Sequence, residues 1–149
     1  MAKKNSEVTH KALLLSLLMC VSLQVSAAKV IVENAWIKLA PPGMTSHAAY
    51  LQLNNISKQA LVIKHVSAEN YERVMLHQTK LINDRVQMEH LETLVVPAQS
   101  SLVLSPGATH LMLMGPRRPQ KLNEPVVFTL TFSDDTQEHF TAIVKPDGE

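Results

Sequence analysis

Residues 109–115 read THLMLMG and place His110, Met112 and Met114 at alternate positions, with Leu111 and Leu113 between them. Alternation has the period of a β-strand, so the imidazole and both thioethers share one face and the two leucines the other. Two readings fit. Methionine fills irregular gaps in apolar packing, or the face binds a soft metal. Thioether sulfur is soft and neutral and imidazole is borderline. Together they suit Cu(I) better than the oxygen-seeking Mg²⁺, Ca²⁺ or Mn²⁺, and better than structural Zn²⁺, which usually recruits cysteine. Methionine has no proton to lose and forms no disulfide, so it stays a ligand where cysteine would be oxidised. A site without thiolate also holds copper loosely enough to give it away.

A second stretch carries the same mixture. Asn83-Asp84 predicts a two-residue turn that pairs Ile82 with Arg85. In that register His77 faces His90 and Thr79 faces Met88. His77 and Met88 then become diagonal neighbours on one face, which Met75 shares.

These residues need a scaffold, and the chain's start says where it is built. MAKKNSEVTHK carries three lysines, an apolar run from Ala12 to Val25 follows, and then come Ser26, Ala27 and Ala28. Basic, apolar and small segments in that order predict a secretory signal peptide over residues 1–28, cleaved near Ala27 or Ala28. The apolar core is too short to span a bilayer comfortably, which needs roughly 20 residues. Cleavage removes Cys20, the only cysteine. Cys20 is also a candidate lipidation site, although Met19 before it departs from the small residue expected there. The formal net charge of +1 leaves no basic surface for nucleic acid or anionic lipid. The expected product is one exported, thiol-free domain over residues 29–149, with no stable membrane insertion.

From Lys29 onward, short apolar-alternating segments are broken by Pro41-Pro42-Gly43, Asn54-Asn55, Asn83-Asp84, Pro106-Gly107 and Asp134-Asp135. Nine strands are predicted, at 30–38, 48–53, 60–66, 72–79, 85–91, 101–104, 109–115, 126–132 and 138–144. Val126, Phe128, Leu130 and Phe132 make one clean apolar face. No segment has a helical period, and there is no repeat or linker. The expected fold class is all-β, an antiparallel sandwich or barrel.

His77, ten residues, Met88, twenty-one residues, then His110-Leu111-Met112 resembles the signature of the periplasmic PCuAC-type copper chaperones, named for the CuA centre of cytochrome oxidase. The block from His110 to Gly115 (HLMLMG) and the elements Ala35-Trp36, Pro41 to Gly43 and Ala48 to Leu51 share the resemblance, which covers the whole mature chain. It implies a cupredoxin-like Greek-key antiparallel β-sandwich in the periplasm, binding one Cu(I) per chain through His77, Met88, His110 and Met112. It also implies a monomeric, non-enzymatic protein. The implied partners are the copper-accepting CuA subunit of cytochrome oxidase and a Sco-type thioredoxin-like protein. Gln78 stands where many relatives have an optional methionine. The chain ends FTAIVKPDGE, without the His- and Met-rich tail of some relatives.

Outside that quartet, Met114 is expected to cover the site, and His90 and Met75 to be packed or solvated. Met44 and His47 are expected at the surface, His65 and His139 as ordinary strand residues, and Trp36 in the core. A blue-copper electron carrier is excluded because it needs a cysteine ligand. Hydrolase signatures GxSxG and HExxH are absent. Two alternatives stay open: a copper buffer or resistance protein, and a metal-free structural or protein-binding β-sandwich of the envelope.

Overall fold

A computed structural model describes residues 29–146; the expected signal peptide lies outside them. The described residues are all-β, with ten strands: β1 Val30–Lys38, β2 Ser46–Asn55, β3 Leu61–Ala68, β4 Tyr71–Ile82, β5 Arg85–Leu91, β6 Leu94–Val96, β7 Ser100–Leu104, β8 Thr109–Pro116, β9 Pro125–Phe132 and β10 Gln137–Lys145. Nine match the predicted strands, β1 and β5 to the residue. The tenth, β6, is too short to show a period, yet it seats Leu94 and Val96 in the core.

The strands follow the order β5-β4-β8-β2-β1-β10-β9-β3-β6, with β7 also paired to β2. The sheet folds over on itself, because β2, β4 and β8 share one core with β3, β9 and β10. Phe128, Leu130, Ile63, Leu111, Leu113 and Val144 are among its fully buried side chains. Each comes from a strand whose alternate residues face outward, the pattern expected of a sheet packed on one side. Every pairing is antiparallel except one. β1 runs parallel to β10, with Trp36 beside Ile143 and Lys38 beside Lys145, which departs from the uniformly antiparallel expectation. A parallel pair needs a long crossover, and nearly the whole domain lies between these two strands.

Two local devices position the outer face of β5-β4-β8-β2. The β4–β5 hairpin turns on Asn83 and Asp84, with φ of 51° and 60°. Two successive positive φ values fit a type I′ turn, whose twist matches the strands it joins. The second device is a bulge in β1 between Glu33 and Trp36, with Asn34 at φ 52°. It sets Trp36 opposite Tyr50 of β2.

Candidate metal centre

The β4–β5 register is the one the turn dictates: Ile82 opposite Arg85, Thr79 opposite Met88, His77 opposite His90. The pairing of β4 with β8 could not be read from any turn. It sets His77 directly opposite His110, and Met75 directly opposite Met112. His77, His110 and Met112 are thus brought together across two adjacent strands. Met88, His77 and Met112 lie on one diagonal of the sheet, with His110 beside it.

The rings confirm the clustering. His77 stands edge-on to His110 at 6.0 Å between centroids and edge-on to His90 at 5.7 Å. Beyond His110 the row continues with Tyr50 at 6.4 Å, and Tyr50 meets Trp36 at 4.7 Å. Trp36 therefore lies two strands from His110 and half-buried on the outer face, while Ile37 takes the core position expected of it. His90 is exposed, Met112 and Met114 are half-buried, and Met88 is 63% exposed on the edge strand. Leu111 and Leu113 are buried in the core, so the two faces of THLMLMG divide as alternation requires.

The two central histidines differ in their hydrogen bonds. His110 is buried, and its Nδ1 lies 3.1 Å from the Ala108 carbonyl oxygen. A carbonyl only accepts, so Nδ1 is the donor here, and a metal would meet this ring at Nε2. His77 Nδ1 is buried and has no hydrogen-bond partner among the described residues. Such orphans are rare because an unsatisfied buried polar atom costs about 1–3 kcal/mol. Burial, then the neighbouring His110 and His90, hold the His77 imidazole below its ordinary pKa. It stays neutral at pH 7, with a lone pair to offer. Among the described residues no group of three His, Cys, Asp or Glu side chains is placed to hold a metal. The thioethers of Met75 and Met112 are the side chains paired next to the two histidines on this face.

Other histidines do different work. His47 is buried and faces the core, opposite Leu113, not the surface as expected. Its Nδ1 is 2.8 Å from the Tyr71 hydroxyl, which also accepts from Gln120 Nε2 at 3.2 Å. Burial lowers its pKa against a smaller opposing effect of a backbone hydrogen bond at Met44. His47 and the exposed Met44 line a cavity of about 540 Å³ with Pro41, Gly115 and Arg117, at the opposite end of β8 from His110. His65 and His139 are exposed strand residues, as expected.

The family model described as "Putative lipoprotein LpqE-like" matches residues 30–144. The chain belongs to that family. The LpqE-like chain is 32% identical over 115 residues to "Putative lipoprotein Lxx21020" of Leifsonia xyli subsp. xyli (strain CTCB07), across 76% of this chain and 68% of that one. Its structure is similar to the solution structure of CuI-DR1885 from Deinococcus radiodurans, with TM-score 0.67, 30% identity and 84% of each chain covered. It is also similar to the copper-bound PCuAC domain from PmoF2, with TM-score 0.67 and 18% identity over 81% of this chain and 96% of that one. The LpqE-like chain therefore has the fold of the PCuAC domains. No helix among its described residues is long and apolar enough to cross a membrane.

Proposed function

We propose that this protein is an exported Cu(I) chaperone that holds one ion through His77, Met88, His110 and Met112. The observation that carries the reading is the buried, unpartnered Nδ1 of His77 beside His110. Packing alone gives no reason to bury an imidazole nitrogen unsatisfied. A soft cation held by neutral nitrogen and sulfur donors does. The Cu(I) form of DR1885, which shares 30% identity with this chain, supports the same cargo.

Delivery follows from ligand chemistry. Thiolates are charged and softer than thioethers, so Cu(I) passes downhill from this face to an acceptor offering two cysteines. The CuA subunit of cytochrome oxidase is such an acceptor, and a Sco-type thioredoxin-like protein is another. Met88, on the exposed edge strand, is the donor such a partner can displace first. The lipoprotein names of the family and of the Leifsonia protein support an envelope location, in the periplasm, reached by signal cleavage.

Anaerobic titration with Cu(I) tests the binding. One equivalent is taken up, and X-ray absorption shows mixed nitrogen and sulfur ligation. Failure to take up Cu(I), or a spectrum without sulfur, overturns the reading. Transfer to a reduced CuA domain is then timed with a tight Cu(I) chelator present as trap. Transfer that outruns release to the chelator marks a chaperone; complete suppression marks a buffer.

A further inference from the structure

We propose that Met75 is a further copper ligand, its thioether acting with that of Met112 beside the His77–His110 pair. This rests on the copper reading above and adds a donor to it. The β4–β8 register makes two directly opposed pairs on one face, imidazole to imidazole and thioether to thioether. Directly opposed side chains have Cβ atoms about 4.5–5.5 Å apart, against about 7–8 Å for diagonal ones. The four donors thus form a compact block of two rows on two strands. Met88 instead faces Thr79, on the far side of His77 from Met112. The thioether that the sheet itself sets against Met112 is that of Met75.

Packing does not account for Met75. Its neighbours Val74 and Leu76 enter the core. Among the described residues, neither Met75 nor Met112 joins that core or packs against it, although both are half-buried. Met75 also borders, with His90, a cleft of about 310 Å³ that extends to His65 on β3. That cleft is not lined by His77, His110 or Met112, and the unbranched Met75 side chain is free to leave it for the face it shares with them. A closed-shell Cu(I) ion does not hold two imidazoles and three thioethers at once, so Met75, on the packed strand β4, takes the fourth position when Met88, on the exposed edge, leaves it. Copper keeps sulfur partners on β4 and β8 while an acceptor replaces Met88, which avoids releasing the bare ion during handover.

The test uses the purified wild-type protein labelled with ¹³C at the methionine methyl groups and titrated anaerobically with Cu(I). The Met75 methyl signal shifts with that of Met112 and saturates at the same equivalent, while Met44, in the remote cavity, stays still. Met75→Ile then weakens Cu(I) binding by about tenfold or more in competition with a chelator, while Met44→Ile leaves it unchanged. The wild-type spectrum reads Met75 directly, so the inference does not depend on the variant folding. A Met112 shift without a Met75 shift overturns this inference and leaves the copper reading standing. Native affinity in folded Met75→Ile does the same. If no methionine responds, both fall together.

Discussion

The two thioethers proposed as copper donors, Met88 and Met112, are cheap to lose structurally, and that makes the proposed site testable. Met88 is exposed and Met112 lies outside the core, so exchanging both for isoleucine of similar volume costs less than about 1.5 kcal/mol apiece. The double variant Met88→Ile/Met112→Ile keeps its thermal transition and loses Cu(I) binding. Retention of native affinity in the folded variant shows that the thioethers are packing. His47 provides the contrast, a buried histidine bonded to Tyr71 inside the fold. Burial lowers its folded pKa, so below the unfolded value of about 6.5 the unfolded chain binds more protons than the folded one. The sign is fixed: this contribution is whole above about pH 6.5 and is lost as pH falls toward the depressed folded value. Copper-free protein accordingly melts earlier at pH 5 than at pH 7, and His47→Gln makes that dependence shallower, the depressed His77 keeping the rest. An equally steep profile in the variant assigns the loss elsewhere. Local sequence did not show this role, because His47 stands beside a Pro-Gly loop and its partner Tyr71 is 24 residues away.

At the scale of elements, the β4–β5 hairpin decides where Met88 sits. Among β5 residues only Leu91 is even partly buried, so its position depends on the ladder to β4 and on the Asn83-Asp84 turn. A one-residue slip in a strand turns every side chain to the other face. Inserting one glycine between Asn83 and Asp84 therefore removes Met88 and His90 from the copper face and weakens Cu(I) binding. The transition temperature stays within a few degrees, since little buried surface is lost. A variant that binds copper normally shows that Met88 contributes nothing. This hairpin was legible in the sequence because a two-residue turn fixes both register and facing. The β4–β8 pairing that joins His77 to His110 was not, since no short connection links those strands and the resemblance alone implied it. β8 also contains Gly115 at φ +61°, where an added Cβ would lie 2.6 Å from Glu72 Oε2. Gly115→Ala destabilises the protein by about 1–2 kcal/mol through the left-handed backbone, since the Glu72 side chain can move aside. Chemical denaturation measures it, and an unchanged midpoint removes the strain argument.

The whole molecule has a closing order built into it. β1 has an antiparallel neighbour in β2 on one edge and a parallel one in β10 on the other. Trp36 and Ile143 sit side by side although more than a hundred residues separate them in sequence. A chain emerging from a ribosome or a membrane pore N-terminus first therefore presents β1 with one edge bare until its final strand arrives. Contacts of such sequence separation slow folding, because loop closure precedes any gain from the contact. The incomplete sheet is a template for pairing with another chain during that interval. Removing residues 137–149 makes the interval permanent: the truncated chain leaves β1 and β9 unpaired on facing edges and self-associates. Light scattering against the full-length chain measures this, and a monomeric, cooperatively melting truncation shows that the domain closes without its last strand.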